Sequence, residues 1–246
     1  MLGGFVLAGV VLTLATPTAL GGLTDVVFSV EATSASGHGS WSASITEGQW
    51  TQDAYLYQWS LAEPVDIRDP QTGEVLATLH TAAAGYRADP QVNLSFAVTA
   101  GTSDTNFTIK SALLSFPTIN TPQGRASAAF TVTDGDDEGG ALLTGLGGPA
   151  YTAEYNGFVP GGSAFTQLIQ QVSAPVSGTG NLAEEFPGGG SYSAIGTPVY
   201  DMSSQVSFTL SANDLASGTS TFEIQAIPEP CGLFLLAACA GVFRRR

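Results

Sequence analysis

Hydrophobic and polar residues alternate with a period of two along most of the chain, beginning near Asp25. In the first such segment, Val26, Phe28 and Val30 occupy every second position. Because successive side chains of a β-strand point to opposite faces, this pattern indicates a strand with one buried face. The period of 3.6 residues that is typical of amphipathic helices is not evident in the body of the chain.

A tight turn is predicted at residues 69–73, which read DPQTG. Pro70 fixes φ at a value that suits the first corner of a turn, and Gly73 accepts the positive φ that closes it. The flanking segments 65–68 and 74–80 are therefore predicted to pair as a β-hairpin.

A second antiparallel pair is predicted from two alternating segments, 92–98 and 106–116. The first places Val, Leu, Phe and Val at every second position, and Phe107 and Ile109 continue an inner face in the second. The short loop 101–104, which contains a glycine, joins them. Since adjacent alternating strands with a short loop usually form a hairpin, we expect these two segments to be hydrogen-bonded neighbours.

Other segments with strand character follow at regular spacing and are separated by clusters of Gly, Pro, Asp and Ser, whereas residues 211–216 (SANDLA) suit a short helical turn. The additional predicted strands are 41–45, 50–61, 125–133, 150–158, 164–172, 205–210 and 219–226. Many short strands without an amphipathic helix predict an all-β fold, an antiparallel β-sandwich of jelly-roll-like type. With no charged linker to divide it, residues 22–226 are predicted to form a single domain.

The charge of the chain is strongly acidic, with 21 Asp and Glu against 7 Lys and Arg and a formal net charge of −14. Such a surface repels the phosphate backbone, and the body has no basic stripe, so nucleic acid is not an expected partner. The only cysteines, Cys231 and Cys239, lie near the carboxyl end. The body therefore has neither a disulfide nor a thiolate metal site.

The first 21 residues have the features of an export signal. An apolar stretch from Phe5 to Leu14 has the length of a signal-peptide core and is too short to span a bilayer comfortably. Small residues, Ala19 and Gly21, precede a cleavage position after Gly21. The sequence thus predicts a signal peptide over residues 1–21; the alternative is a buried first strand or helix.

An acidic loop between predicted strands is the candidate metal site. Asp134, Asp136, Asp137 and Glu138 offer four carboxylates hinged by glycines, and Ca²⁺ prefers such oxygen ligands. In EF-hand register, however, the position of the bidentate glutamate is occupied by Gly145. Calcium is therefore a possible cofactor, and the alternative is a solvated acidic loop.

Three aromatic residues, Tyr55, Tyr57 and Trp59, share one face of a predicted strand. Aligned rings on an exposed sheet face suit stacking on sugars, and polysaccharide is a possible partner. Aromatic residues in this pattern are also typical of a hydrophobic core. The alternation alone is compatible with either location.

The sequence predicts no catalytic residue. His38 and His80 are the only histidines, and no G-x-S-x-G or H-E-x-x-H motif accompanies them. A glycosidase-like pair of carboxylates is defined by spatial separation, so the neighbours Glu184 and Glu185 neither establish nor exclude one. A hydrolase remains a third alternative for the body.

The last twenty residues have three ordered parts. Pro228, Glu229 and Pro230 precede an apolar run, 231–243, and Arg244, Arg245 and Arg246 follow it. As a helix, the thirteen residues of the run would extend only about 20 Å, less than the hydrocarbon core of a bilayer. The arginines favour a cytoplasmic carboxyl end, with the body outside.

This tail, 227–246, resembles the PEP-CTERM sorting signal of bacterial exported proteins. The resemblance implies recognition and removal of the tail by an exosortase after transient membrane anchoring through residues 231–243. It also implies export to the cell surface or to an exopolysaccharide or biofilm matrix. The favoured hypothesis is an exported structural protein without catalytic activity, the alternative is a secreted carbohydrate-binding module, and the third is a secreted hydrolase with a carboxylate pair.

Overall fold

The computed structural model describes residues 22–51 and 55–227, and these form nineteen β-strands and one 3₁₀ helix, Ile45–Glu47. The strands are β1 (Gly22–Leu23), β2 (Val26–Ser34), β3 (Gly37–Ser44), β4 (Gln49–Trp50), β5 (Leu56–Ser60), β6 (Val65–Arg68), β7 (Val75–Arg87), β8 (Gln91–Ala100), β9 (Thr105–Ser111), β10 (Leu114–Ile119), β11 (Pro122–Thr133), β12 (Leu142–Gly145), β13 (Tyr151–Tyr155), β14 (Ser163–Leu168), β15 (Gln171–Ser173), β16 (Thr179–Phe186), β17 (Ser193–Ala194), β18 (Val199–Leu210) and β19 (Leu215–Ala226). The predicted signal peptide and the tail from Pro228 onward lie outside the described residues. No helix among the residues described has the length and apolar character needed to span a bilayer.

The strands form two antiparallel sheets. Sheet A has ten strands, with β1-β10-β18-β9-β2-β3 in order and β12 to β15 attached through β18. Sheet B has nine strands, with β16-β11-β19-β8-β7-β5-β4 in order, and β17 and β6 pair with β11 and β7. The prediction of an all-β antiparallel sandwich is confirmed. The longest C-terminal strands, β18 and β19, occupy the interior of their sheets.

The core lies between the sheets and is built by the alternating residues. On β8, Val92, Leu94, Phe96 and Val98 are all buried, whereas the residues between them face outward. Phe96 of sheet B stacks on Phe208 of sheet A, with ring centroids 5.8 Å apart. Burial of each such side chain contributes about 1.5–3 kcal/mol to folding, which is why the period-two pattern determines the inner face.

The hairpin predicted at residues 69–73 is confirmed. Strand β6 pairs with β7, and the backbone N–H of Gly73 donates to the carbonyl oxygen of Asp69 at 2.8 Å. Gly73 has a φ of +76°, as its place in the turn requires. The carboxylate of Asp69 also accepts from the N–H groups of Gln71 and Thr72, which fixes the turn.

The second predicted hairpin is wrong. Strand β8 pairs with β7 and β19 in sheet B, whereas β9 pairs with β2 and β18 in sheet A. The loop 101–104 thus crosses from one sheet to the other. Both strands bury alternate residues in the same core, so periodicity identified their inner faces correctly. Periodicity contains no information about which of the two sheets each strand joins.

Strands β12 and β16 are not among the predicted strands, and the expected helical turn is not helical. Strand β12 lies in a Gly-rich stretch, and β16 pairs with the outer edge of β11 and is largely exposed. An edge strand without a buried face shows little alternation, so a search for the period of two does not detect β16. Residues 211–214 form a turn that leads directly into β19, so SANDLA is not a helix.

Candidate functional site

The acidic loop is positioned by the pairing of β11 with β19. Thr133, the last residue of β11, lies opposite Leu215, the first residue of β19. Asp134 follows the one strand and Asp214 precedes the other, so the antiparallel register brings these two carboxylates together. Asp136 lies two residues further along the loop. One carboxylate oxygen from each of these three aspartates lies within 4.8 Å of the others.

Two of the three side chains are buried. Asp134 is 7% exposed and Asp214 is 1% exposed, whereas Asp136 faces solvent. Burial of carboxylates is unfavourable unless they are hydrogen-bonded, paired with a cation or bound to a metal. The hydrogen-bond partners of each carboxylate oxygen therefore determine whether the cluster can bind a metal ion.

Backbone and side-chain donors hold most of the cluster's oxygens. Asp134 accepts at Oδ2 from the N–H of Ser177 at 2.6 Å, and Asp214 accepts at Oδ1 from the N–H of Gly135 at 3.0 Å. The hydroxyl of Ser211 donates to the other oxygen of Asp214. The remaining oxygen of Asp134, Oδ1, is buried and has no hydrogen-bond partner among the described residues.

The third aspartate is held in its ionised form. The side-chain amide of Asn213 donates to Oδ2 of Asp136 at 3.0 Å, and the N–H of Glu138 donates to Oδ1 at 3.0 Å. These hydrogen bonds, that from Asn213 first, hold the pKa of Asp136 below its usual range. Asp136 is therefore a carboxylate at neutral pH.

The structure brings together two of the four residues that are predicted from the sequence to be calcium ligands. Asp134 and Asp136 belong to the cluster, whereas Asp137 and Glu138 are exposed at the tip of the loop and lie outside it. Asp214 is the member that sequence reasoning missed. It is eighty residues away in the chain, and only the β11–β19 register reveals it.

The aromatic residues that were candidates for sugar binding lie mainly in the core. Tyr57 is fully buried and Trp59 is 5% exposed. The Trp59 ring stacks across the sandwich on Phe28 of sheet A, with centroids 5.2 Å apart. Tyr55 is half-buried and donates its hydroxyl to Asp89. Rings between the sheets are inaccessible to a sugar, so the prediction of a sugar-stacking strip at Tyr57 and Trp59 is corrected.

A different surface, the outer face of sheet B, forms an open groove of about 810 Å³. We call it the sheet B groove, and it crosses β5, β7, β8 and β19. The lining includes the charged side chains of Glu47 and Arg87. Its uncharged outward residues include Gln58, Gly85, Asn93, Ser95, Thr219 and Thr221. A neighbouring groove of about 440 Å³ shares Thr219 and Thr221 and extends over β11 and β16. The surface thus offers hydrogen-bonding groups across several strands.

The other candidate residues are dispersed. His38 pairs with Thr33 and His80 with Thr99, each through one ring nitrogen on an exposed part of a sheet. Glu184 and Glu185 are successive residues of β16 and so point to opposite sides of it. The sorting residues Pro228, Glu229, Pro230 and Arg244 to Arg246 lie outside the described residues.

Comparison with known proteins gives weak likeness only to solved structures. No family model matches the chain, and no curated protein matches it. Among solved structures, the chain is similar to one in "Cryo-EM Atomic Structure of Broad Bean Stain Virus", at 10% sequence identity. The likeness covers 90% of this chain and 98% of the viral chain, with a TM-score of 0.24. At that score it carries no argument about function.

Proposed function

We propose that the protein is an exported structural protein of the cell surface or extracellular matrix, sorted by its C-terminal tail. The observation that carries the proposal is a hydrogen bond at Ile227, the last residue that the structure describes. The N–H of Ile227 donates to the carbonyl oxygen of Thr121 at 2.8 Å, one residue after β19 ends. The Pro-Glu-Pro triplet begins at the next residue, Pro228.

The junction between fold and tail supports separate roles for them. Proline lacks a backbone N–H and cannot extend the hydrogen bonding of a central strand such as β19. None of the nineteen described strands extends beyond Ala226. The tail therefore acts as a transient anchor and address, with residues 231–243 as a short apolar helix and an exosortase as the partner.

The remaining parts of the proposal concern the start of the chain and its body. A signal peptide over residues 1–21 directs export, and the jelly-roll-like sandwich folds outside the cytoplasm. The acidic surface keeps that body soluble in the matrix. A hydrolase is less well supported, because Glu184 and Glu185 face away from each other and the histidines pair with threonines.

Intact-mass analysis tests the sorting proposal. The full chain is expressed in a bacterial host that has an exosortase, and the exported protein is purified and weighed. The expected mass lacks both the signal peptide and the segment that ends in Arg246. The variant Glu229→Ala, with both neighbouring prolines also changed to alanine, is expected to retain its tail in the membrane fraction.

A matched control changes three polar residues elsewhere on the surface and is processed as the wild type. A mature wild-type protein that still contains Arg244 to Arg246 overturns the proposal. So does unchanged processing of the triple variant, because the motif would then have no role in recognition.

A second candidate function, carbohydrate binding, is favoured by the sheet B groove. Most of its hydrogen-bonding side chains are uncharged, with Glu47 and Arg87 as the charged exceptions, which suits a neutral polysaccharide laid across the strands. Thr221 donates from its hydroxyl to Oδ1 of Asn93 at 2.9 Å, directly across the β8–β19 pair. This pair lies on the floor of the groove and leaves the amide of Asn93 available to a ligand.

Sheet A supplies a matched control for this second function. Thr209 donates in the same way to Asn106, at 2.6 Å across the β9–β18 pair, on the other outer surface. On a polysaccharide array, Asn93→Ala is expected to abolish a signal that Asn106→Ala retains. No signal from the wild type, or equal loss in both variants, excludes the groove as the binding site.

A further inference from the structure

We propose that Asp134, Asp136 and Asp214 bind one Ca²⁺ ion, which fastens the loop after β11 to the beginning of β19. The inference is independent of the proposed function, because it rests on side chains within the sandwich and makes no use of the tail. It replaces a loop-only site at residues 134–138 with one assembled from both ends of a strand pair.

The separation of the oxygens fits a shared ion. One oxygen from each aspartate lies within 4.8 Å of the other two. Calcium binds oxygen at about 2.3–2.6 Å, so two ligands on opposite sides of one ion are separated by about 4.6–5.2 Å at most. The three oxygens therefore all lie within reach of a single ion without rearrangement of the backbone.

The unpartnered oxygen of Asp134 is the independent indication of a ligand. Its carboxylate is 7% exposed, and Oδ2 is occupied by the N–H of Ser177. Oδ1 is buried and accepts no hydrogen bond from any described residue. A buried acceptor without a partner is destabilising, and a bound cation supplies the missing partner.

The negative charge of the cluster also favours binding of a cation. The ion pairs formed among residues 22–51 and 55–227 are Arg68 with Asp66 and Arg125 with Glu223, and neither includes a member of the cluster. Three aspartates in one place, in a chain of net charge −14, leave a concentrated negative potential that attracts a divalent ion.

The chemistry of the ligands selects calcium. All three side chains are carboxylates, and neither histidine nor cysteine belongs to the cluster, which disfavours zinc. Calcium tolerates irregular coordination and accepts backbone carbonyls and water, whereas magnesium needs near-ideal octahedral geometry. Exposed Asp136 leaves one side of the site open to the solvent that completes the coordination shell.

Local backbone geometry shows that the two segments are fitted closely at this point. A Cβ atom on Gly135 would lie 2.3 Å from the carbonyl oxygen of Asn213, so only glycine permits this approach. The N–H of Gly135 binds Asp214 directly. A cation here crosslinks the 134–140 loop to the 211–214 turn, so its binding stabilises the folded state.

The test is a calcium titration of the purified protein after removal of metal with a chelator. Isothermal calorimetry is expected to show one saturable site, and the thermal unfolding midpoint is expected to rise with calcium concentration. Magnesium at equal concentration produces a smaller rise. In Asp136→Asn, whose side chain is exposed and whose fold is therefore unaffected, the Kd is expected to increase by about tenfold or more. Asp214→Asn is expected to abolish binding.

The control variants come from the same loop. Asp137→Asn and Glu138→Gln each remove one negative charge from exposed residues outside the cluster, and both are expected to bind calcium as the wild type does. Absence of binding heat and of a midpoint shift in the wild type overturns the proposal. It is also overturned if Asp137→Asn weakens binding as much as Asp136→Asn, because the ion would then interact only with a diffuse acidic surface.

Discussion

The backbone N–H of Ala112 donates a hydrogen bond to the phenolic oxygen of Tyr86 at 2.8 Å, inside the core. Tyr86 belongs to β7 of sheet B, whereas Ala112 follows β9 of sheet A. The tyrosine hydroxyl also donates to the carbonyl oxygen of Val27 in β2. A single buried side chain thus joins the sheets by polar contacts in addition to apolar packing, and burial raises its pKa well above the usual range.

We expect Tyr86→Phe to lower the free energy of unfolding by about 1–3 kcal/mol, because the carbonyl of Val27 loses the tyrosine donor and keeps only the longer hydrogen bond from the N–H of Ala112, at 3.3 Å. Urea denaturation followed by circular dichroism measures the change. Tyr200→Phe, at a residue that is 50% exposed, is the control and should have little effect. Equal midpoints for Tyr86→Phe and the wild type would show that the bridge contributes nothing.

Substitution by alanine is expected to change the stability of the fold in opposite directions at two strand glycines. A Cβ on Gly218 of β19 would lie 2.5 Å from Phe130 and 2.7 Å from Phe96, so Gly218→Ala overpacks the core and is expected to cost about 1–3 kcal/mol. A Cβ on outward-facing Gly85 meets nothing nearer than 3.8 Å, so Gly85→Ala should stabilise by about 0.5–1 kcal/mol. Thermal unfolding of both variants checks the pair, and a stable Gly218→Ala contradicts the packing.

The carboxylate of Asp69, in the turn between β6 and β7, is expected to stabilise the fold by an amount that decreases at acid pH. The N–H groups of Thr72, Gln71 and His38 donate to it and hold its pKa below the usual range. Its stabilising effect is present above the pKa of an unfolded aspartate, about 3.9, and is lost as pH falls through the lower folded value.

The variant Asp69→Asn isolates this contribution. Its urea midpoint is expected to lie below that of the wild type at pH 7, and the difference should shrink as pH falls below about 4. Glu63→Gln, at an exposed residue in a nearby bend, provides the control. A difference between Asp69→Asn and the wild type that is constant from pH 7 to pH 2 would refute the assignment.

The contribution of Glu154 to stability is expected to depend on pH in the opposite direction. Its side chain is fully buried, accepts one hydrogen bond from Ser203 at 3.0 Å, and has a second oxygen without a partner. Burial raises its pKa, so the stability of the fold decreases as the pH rises from the pKa of an unfolded glutamate, about 4.3, through the higher folded value. Glu154→Gln is expected to be more stable than the wild type at pH 7 and to lose that advantage near pH 4.

The control for this variant is Glu31→Gln, at an exposed position of β2. It removes the same charge without relieving a buried carboxylate, so its urea midpoint should follow the wild type across the pH range. A destabilised Glu154→Gln at pH 7 would show that the carboxylate has a favourable partner.

Local features of the sequence predicted local features of the fold. The DPQTG turn and the inner faces of β2, β8 and β9 follow from φ preferences and from the period of two, both of which act within a few residues. Sheet membership of β8 and β9 does not, because both strands bury their inner faces in the same core. The edge strand β16 lacks a buried face and therefore lacks the alternating signal.

The candidate site shows the same limit. Asp134 and Asp136 were identifiable as carboxylates in a glycine-hinged loop, but Asp214 becomes their neighbour only through the register of Thr133 with Leu215. Tyr57 and Trp59 were placed correctly on one face of a strand. Alternation could not show whether that face was the core or the solvent side.

The central positions of β18 and β19 determine when this protein can fold. Strand β18 pairs with β9, β10, β12 and β13, and β19 pairs with β8 and β11. Neither sheet is complete until residues 199–226 are available, because β18 joins β10 to β9 and β19 joins β11 to β8. A ribosome that still holds this segment therefore keeps each sheet in separate parts, so the complete sandwich assembles only when nearly all of it has emerged.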